Sequence, residues 1–476
     1  MSSQKKFYLT TPIFYPNAKL HLGHAYVTTL SDVLARYHRL AGDQTYFLTG
    51  ADENAQTVAQ GAVKANKNIS IFTDELVESF KHLFKKLDIS YDQFIRTSDK
   101  KIHWPGAELL WRKLAEAGDI YKKEYEGLYC IGHEAFITEK DLVDGKCPDH
   151  GTVPEHLKEE NYFFRLSKYT LPVKRKIESG ELEVLPHTRK NEILSLLEQG
   201  LQDISFSRPK SAVPVGIPVP GDDSQVMYVW CDALSNYITA LGYGRDDALF
   251  KKFWPADLHV IGKDILRFHA AIWPAMLLSA GIALPKKILV HGMIISGGKK
   301  MSKTRGNIID PHELLAEFGT DAVRYILSRH VSPMEDSELT PETIKGAYNA
   351  ELANGLGNLA ARVMTLAESH LKEGVRPEPA GFPAGYVSAF EKFEVNRALD
   401  FVFEHIQALD QAITQGEPFK VIKMDPERGR EMLFEMTQEL YTIARMLNPF
   451  MPGTSAKIKE AVVKNKKPET LFPRKE

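Results

Sequence analysis

The chain contains 476 residues, of which 43% are hydrophobic and 26% are charged, and its formal net charge is −2. This length exceeds what one hydrophobic core supports and predicts roughly three domains. Three cysteines are too few for a disulfide framework. The lack of a long apolar run excludes a membrane-spanning helix. The near-zero net charge excludes a general electrostatic attraction to nucleic acid.

The first ten residues carry no recognisable targeting signal. They read MSSQKKFYLT and contain neither an apolar signal core nor an Arg-rich amphipathic presequence. We therefore expect a cytoplasmic protein without a membrane partner. Any contact with nucleic acid must then rely on local basic segments, such as residues 299–305 and 457–475.

The first part of the chain alternates short β-rich runs with helical patterns. The β-rich runs cover residues 7–11 and 45–50, and the helical patterns cover 25–40 and 71–87. Strands that alternate with helices in this way predict the first half of a doubly wound parallel sheet of the α/β class. We expect this half to occupy residues 1–118.

Two histidines flank a glycine where the first long helix is predicted to begin. His21 and His24 would place imidazole groups beside the backbone N–H groups of a helix N-terminus, which favour a polyphosphate. Gly23 would allow a nucleotide to approach the backbone closely. Two histidines around a glycine are also found as helix caps or as core pairs, so other motifs must decide between these interpretations.

In residues 119–214, turns and short strands replace the alternation of strands and helices, and this change predicts an insertion. Cys130 and His133, and then Cys147 and His150, form two C-x-x-H pairs. Thiolate and imidazole ligands at this spacing suit a closed, structural Zn²⁺ site. The alternative is that all four are ordinary loop residues.

The parallel sheet is expected to resume near Val226, with further strands at 258–262 and 288–291, within a second half at residues 215–345. A lysine-rich loop follows Gly297 and Gly298. The last segment, 346–476, shows helical apolar spacing, most clearly over residues 395–414 and 428–446, which predicts a small helical bundle.

The order of these motifs resembles that of a known enzyme class. Residues 21–24 (HLGH) and 300–304 (KMSKT) resemble the HIGH and KMSKS signatures of class I aminoacyl-tRNA synthetases. Six further blocks resemble the methionyl-tRNA synthetases; they are residues 10–17, 50–54, 161–166, 216–222, 228–234 and 261–265. The resemblance implies a Rossmann-type catalytic domain, an inserted connective-peptide domain and a C-terminal helical bundle that binds the anticodon.

The resemblance also implies the reaction. L-Methionine would be activated by ATP to methionyl-adenylate and then transferred to the 3′ end of tRNA(Met). Mg²⁺ would accompany ATP, bound mainly through phosphates and water. The residues expected to bind ATP are His21, Gly23, His24, Asp264 and Lys303. Those expected to stabilise the transition state are His21, His24, Lys300 and Lys303.

A methionine pocket is implied by the same resemblance. Its members are Ile13, Tyr15, Asp52, Trp230, Ala233, Leu234, Tyr237, Ile265 and His269, with Asp52 as the anchor of the amino group. Aromatic faces beside a thioether are favourable by about 0.3–1.5 kcal/mol. Without the resemblance, Asp52 would be assigned to a turn, and Trp230 and Tyr237 to core packing.

Several positions depart from the family pattern. In the anticodon-binding bundle Phe419 stands where many members have tryptophan, and it keeps a face on which a base can stack; Asn358 and Arg362 are weaker anticodon candidates. The implied zinc knuckle has two cysteines and two histidines in place of the more cysteine-rich version. The chain stops without the additional module that makes some members dimers, so we expect a monomer.

Three other interpretations fit part of these motifs. A cysteinyl-tRNA synthetase shares both signatures but keeps its zinc in the active site. A non-catalytic tRNA-binding paralogue should have lost part of the ATP motifs, whereas His21, His24, Lys300 and Lys303 are all present. A nucleotidyltransferase would share the histidines but would not need a helical C-terminal bundle.

Overall fold

The computed structural model describes residues 5–132, 135–137, 139–148, 151–296, 298–300, 309–376 and 381–476. The chain divides into two compact units, each assembled from separate stretches of sequence. The first unit contains the chain up to Leu20, Asp43–His82 and Tyr91–Val290, and the second contains His21–Gly42, Leu83–Ser90 and His291–Glu476. Across the described ranges, no helix combines the length and apolarity that crossing a membrane requires.

The strands, in chain order, are β1 Lys6–Phe14, β2 Gln44–Ala51, β3 Gln93–Arg96, β4 Ile120–Cys130, β5 Ala135–Ile137, β6 Glu155–Phe164, β7 Glu183–Leu185, β8 Ile204–Ser205, β9 Ser207–Pro209, β10 Pro218–Val219, β11 Asp222–Met227, β12 Leu258–Gly262, β13 Lys287–His291, β14 Ile294–Ser296, β15 Lys299–Lys300 and β16 Ser337–Glu338.

The α-helices are α1 Leu22–Leu40, α2 Gln56–Lys64, α3 Ile69–Lys86, α4 Trp104–Glu116, α5 Thr170–Glu178, α6 His187–Glu198, α7 Val229–Thr239, α8 Ala248–Phe253, α9 Trp273–Ser279, α10 Pro311–Phe318, α11 Thr320–Arg329, α12 Pro341–Ala347, α13 Asn358–His370, α14 Ala384–Glu391, α15 Val395–Gly416, α16 Pro418–Met424, α17 Pro426–Leu447 and α18 Pro452–Lys464. Two π-helical segments, Phe268–Ile272 and Tyr348–Gly357, precede α9 and α13.

A six-stranded sheet organises the first unit. Its strand order is β3-β2-β1-β12-β13-β7. Strand β1 pairs in parallel with β2 on one side and with β12 on the other, so the order of the chain reverses between β1 and β12. The central strands are mostly buried, as expected when both faces of a parallel sheet are covered. The predicted α/β architecture is confirmed.

The sheet differs in two details from the sequence prediction. Strand β7 lies within the range predicted as the insertion, yet it pairs in parallel with β13. Val226 lies in β11, which pairs antiparallel with β9 and β10, so the parallel sheet does not resume there. The Gly221 turn, with φ +88°, folds β10 back onto β11 and keeps this segment a local hairpin. Three residues, as in β7, are too few for their pairing to be read from periodicity.

Strands on both sides of α5 and α6 in the chain build a separate antiparallel layer. Strands β5, β4, β6 and β8 are neighbours in that order, and β4 pairs with β6 from Ile120↔Phe164 to Tyr129↔Glu155. The predicted insertion therefore contains a real antiparallel sheet. Its proposed bounds, and those of the other predicted domains, stay a prediction.

The second unit is mainly helical. Helix α17 buries one face, including Leu433, Leu440 and Leu447, which are spaced by seven residues. This spacing keeps the apolar side chains on one side of the helix, against the helices beside it. The two long helices predicted from periodicity, residues 395–414 and 428–446, are present as α15 and α17.

A fully buried arginine joins several parts of the second unit. The Arg324 guanidinium in α11 forms an ion pair with Asp32 of α1 at 2.7 Å. It also donates to the backbone carbonyls of Leu87 (3.0 Å), Pro449 (2.8 Å) and Phe450 (2.8 Å). Burial alone would raise the pKa of Asp32, but the two arginines beside it, and hydrogen bonds from Ser90, hold that pKa below its usual value.

Candidate active site

Four of the nine residues of the predicted methionine pocket lie at the carboxyl ends of adjacent strands. Ile13 is near the end of β1 and Tyr15 directly follows it, Asp52 directly follows β2, and Ile265 lies in a 3₁₀ turn after β12. Ligands of open α/β sheets bind at this edge, in the crevice where the strand order reverses. That point lies between β1 and β12.

Asp52 is held by the strands beneath it. Its backbone N–H donates to the Phe14 carbonyl at 3.0 Å, and its Oδ1 accepts from the Thr97 hydroxyl at 3.4 Å. The carboxylate is only 3% exposed. A Cβ on Gly50 would lie 2.3 Å from the Ile95 carbonyl oxygen, so glycine is required for β2 to approach β3 here.

Helix α7 carries four of the predicted pocket residues, and the face that bears them is called here the α7 wall. Trp230, Ala233, Leu234 and Tyr237 recur at helical spacing, and all except Trp230 are almost fully buried. The Trp230 ring stacks on Phe268 with 3.7 Å between ring centroids. Phe268 was missed in the sequence analysis, although it directly precedes His269 there.

A buried hydrogen-bonded pair lies beside this wall. The Tyr237 hydroxyl and His269 Nε2 are 2.7 Å apart, and His269 Nδ1 is 3.0 Å from the Ile265 carbonyl. Burial lowers the pKa of His269 to about 4, partly offset by its bond to Ile265. The imidazole is therefore neutral near pH 7. Because Nδ1 must donate to the carbonyl, Nε2 accepts from the tyrosine hydroxyl.

The two histidines of the HLGH segment lie in the second unit. His21 is the N-cap of α1, and its Nδ1 accepts from the Gly23 N–H at 3.0 Å. His24 Nδ1 accepts from the His21 N–H at 3.0 Å, and the two ring centroids are 3.8 Å apart. Burial, and the neighbouring His21 and His291, lower the pKa of His24 well below its usual value. Because Nδ1 of each histidine accepts a hydrogen bond, the ring proton is on Nε2. The same two imidazoles can therefore cap helix α1 through Nδ1 and donate to an anion through Nε2.

The lysine loop is described only in part. Lys300 lies in β15, where its backbone pairs with Ile295. Lys303 falls outside the described residues. Asp264, predicted to contact ATP, is exposed in the turn that follows β12.

Two of the four predicted zinc ligands are described. Cys130 ends β4, and Cys147 begins a tight turn in which its carbonyl accepts from the Gly151 N–H at 2.7 Å. Both cysteines are buried. His133 and His150 lie outside the described residues, and within the described ranges no group of three or more His, Cys, Asp or Glu side chains is arranged to hold a metal. Two buried thiols are suitable ligands for Zn²⁺, but a closed structural site needs four ligands.

The predicted anticodon residues lie in the helical part of the second unit. Phe419 is 42% exposed in the first turn of α16. Asn358 begins α13, and Arg362 on the same helix is ion-paired with Asp410 at 2.5 Å. Phe419 thus presents an aromatic face to solvent, whereas the Arg362 charge already has a partner.

Comparisons with known proteins identify relatives over most of the chain. The family model described as tRNA synthetases class I (M) matches residues 7–152 and 141–364. A methionine–tRNA ligase of Caldanaerobacter subterraneus subsp. tengcongensis is 42% identical over 474 residues, which is 96% of this chain and 74% of that protein. A methionine–tRNA ligase of Rickettsia felis is 40% identical over 98% of this chain and 93% of its own.

Solved structures of a methionyl-tRNA synthetase match this chain over nearly its full length. The Mycobacterium tuberculosis methionyl-tRNA synthetase in complex with methionyl-adenylate matches with a TM-score of 0.90 and 36% identity, covering 99% of both chains. Its ligand-free form matches with a TM-score of 0.85 and 34% identity, also over 99% of both chains. The chain therefore belongs to the methionyl-tRNA synthetase family of the class I tRNA synthetases.

Proposed function

We propose that this chain is a methionine–tRNA ligase that converts L-methionine, ATP and tRNA(Met) into methionyl-tRNA, AMP and diphosphate. One observation carries this proposal beyond the family assignment. An acidic residue, Asp52, lies at the same sheet edge as Tyr15 and Ile265, and the Tyr237–His269 pair borders an aromatic wall. An ammonium group and a thioether need this combination of partners.

The proposed methionine site has two parts. Asp52 binds the ammonium group, and its burial strengthens the attraction because little water screens it. Trp230, Tyr237 and His269 surround the thioether, together with the apolar side chains of Ile13, Ala233, Leu234 and Ile265. The neutral His269 leaves no charge in this slot, so an apolar side chain enters without desolvating an imidazolium.

The proposed chemistry has two displacement steps. A methionine carboxylate oxygen attacks the α-phosphorus of ATP, the bond to the diphosphate oxygen breaks, and diphosphate leaves. The terminal ribose hydroxyl of the tRNA then attacks the acyl carbon, and AMP leaves. The Nε2–H groups of His21 and His24 donate to phosphate oxygens, Gly23 permits the close approach, and Lys300, Lys303 and Asp264 contact ATP. Mg²⁺ that accompanies ATP would supply positive charge against the phosphates.

The bundle and the cysteine turn have supporting roles in the proposal. Phe419 stacks on an anticodon base, and Asn358 and Arg362 of α13 are further, weaker anticodon contacts. Cys130 and Cys147, with His133 and His150, would hold a structural Zn²⁺ through two thiolates and two imidazoles. The ligase acts as a monomer in the cytoplasm, which light scattering and cell fractionation test.

The test is amino-acid-dependent exchange of diphosphate into ATP, measured with all twenty amino acids, followed by charging of tRNA(Met). We expect exchange with methionine and not with cysteine, and charging of tRNA(Met) alone. Asp52→Ala should raise KM for methionine and leave KM for ATP within about twofold. Asp247→Ala is the matched control, because that exposed carboxylate pairs only with Lys251 among the described contacts. Exchange with cysteine, or none from folded protein, would refute the proposal.

A further inference from the structure

Five buried polar side chains form a continuous line inside the first unit. They are Asn54, Thr97, His103, Asp232 and Thr239, called here the buried bridge. Four of them are completely buried and Asn54 is 8% exposed. None of the five belongs to the pocket wall itself, and buried polar groups are costly unless they are hydrogen-bonded.

One half of the buried bridge braces helix α7. His103 Nε2 is 2.6 Å from Asp232 Oδ1, and His103 Nδ1 is 2.8 Å from the Thr239 hydroxyl. Asp232 lies in the first turn of α7 and Thr239 is its last residue. A single imidazole therefore spans the helix that carries Trp230 and Tyr237, and it does so from a position outside the pocket.

The other half reaches the segment that carries the amino-group anchor. Asn54 Nδ2 donates to Asp232 Oδ2 at 2.7 Å and to the Thr97 carbonyl at 3.1 Å. The Thr97 hydroxyl accepts from the Glu53 N–H at 2.8 Å and lies 3.4 Å from Asp52 Oδ1. Both carboxylate oxygens of Asp232 are thus hydrogen-bonded. Oδ1 is paired with His103, which braces α7, and Oδ2 accepts from Asn54, which lies two residues after Asp52.

Other contacts fix the anchor segment to the sheet but not to α7. Arg96 in β3 forms two hydrogen bonds with Glu53, at 2.5 and 2.9 Å, and also pairs with Asp74. The Ser98 hydroxyl donates to Glu53 at 2.6 Å. These contacts would hold Asp52 in place relative to β3 even if the bond from Asn54 to Asp232 were lost.

We propose that the buried bridge sets the distance between Asp52 and the α7 wall, and so selects amino acids by the length of their side chain. This inference rests on the proposed function. The five residues are positioning residues, since none is placed against substrate. A satisfied network in a low-dielectric interior is stiff, because any shift breaks hydrogen bonds that water cannot replace. An apolar slot that could move would discriminate poorly, since one methylene changes the rate by only about 10- to 200-fold even in a fixed site.

The experiment compares three substrates in the exchange assay: methionine, S-methylcysteine, which is one methylene shorter, and ethionine, which is one methylene longer. Asn54→Ala removes the link between the two halves while Arg96 still holds the anchor segment. We expect the ratio of kcat/KM for methionine to that for either analogue to fall about fivefold or more, and KM for ATP to stay within about twofold.

A swap of the two partners tests whether the bond itself is responsible. In Asn54→Asp with Asp232→Asn the donor and acceptor exchange places, and we expect the selectivity ratio to recover at least partly. The single change Asn54→Asp places two carboxylates together and should not recover it. A purely structural role would change melting temperature in all variants without changing the selectivity ratio.

Two further variants complete the design. Thr73→Ala is the control, because this 5% exposed hydroxyl bonds only within α3 in the described contacts. If Asn54→Ala does not fold, Thr239→Val removes the far end of the bridge with little change of volume, and a smaller fall of the same ratio is expected. An unchanged ratio in the folded variants, with the wild type active on methionine, overturns the inference. A wild type without methionine-dependent exchange would instead refute the proposed function.

Discussion

The buried Arg324–Asp32 pair makes a quantitative prediction about the second unit. In Arg324→Leu the Asp32 carboxylate keeps its burial and loses its 2.7 Å partner. Removing one member of a buried ion pair costs about 3–5 kcal/mol. Three carbonyl groups, at Leu87, Pro449 and Phe450, also lose a donor, which adds at least about 1 kcal/mol. Because Arg36 still pairs with Asp32 at 2.7 Å in this variant, we take the lower end of both ranges and expect a loss of about 4 kcal/mol in the free energy of unfolding of this unit.

Thermal unfolding measured by calorimetry at pH 7 is the assay. For a unit of this size each kcal/mol lowers the melting temperature by about 2–4 °C, so the shift should be at least about 8 °C. Arg428→Leu is the control, since Arg428 and its partner Glu431 are each more than half exposed and should contribute less than about 1 kcal/mol.

The dependence on pH gives the same prediction a second readout. The pKa of Asp32 is lowered in the folded state, so its stabilisation is full above the unfolded pKa and is lost as pH falls through the folded value. The difference between wild type and Arg324→Leu should thus persist from pH 5 to 8 and shrink below about pH 4. A shift no larger than that of Arg428→Leu at pH 7 would refute the reasoning.

Four further predictions concern the site. Lys303→Ala should slow adenylate formation in single-turnover experiments and leave methionine affinity nearly unchanged. The pKa of His269 is about 4 when folded, so the unfolded state takes up a proton first as pH falls from about 6.5; wild type should lose about 3 kcal/mol between pH 6.5 and 4, and His269→Gln should not. Phe419→Ala should raise KM for tRNA(Met) about tenfold in charging, because stacking on one base contributes about 1–3 kcal/mol, with diphosphate exchange unchanged. Cys147→Ser should abolish zinc found by elemental analysis of purified protein, and equal metal content in both proteins would contradict the zinc site.

Periodicity and motif order were sufficient for the architecture. The strand at 258–262 was predicted with the bounds it has, and helix α15 was extended by only two residues at its end, since long apolar patterns at a constant period identify an element well. Short strands gave less information. Val226 was assigned to the wrong sheet because two or three apolar residues fit either a parallel strand or a hairpin.

Within the site, residues that belong to a recognisable motif could be identified from the sequence. The contacts between distant segments could not be predicted. His103 and Asp232 are 129 positions apart, and no local pattern in the sequence connects them. Phe268 was not singled out from the sequence, and its stacking on Trp230 is visible only in the folded chain. Hydrogen-bonded pairs of this kind depend on tertiary placement, which a single sequence does not encode in any local period.

The division of the chain into interleaved units has a consequence for its synthesis on the ribosome. Helix α1 is made within the first 40 residues, yet Arg324, which pairs with its Asp32, also binds the carbonyls at 449 and 450. At about 5–20 residues per second, the nascent helix must wait roughly 20–80 s for these partners. During that interval α1 lacks its native neighbours from the C-terminal stretch, so the second unit can be completed only after nearly the whole chain has been made.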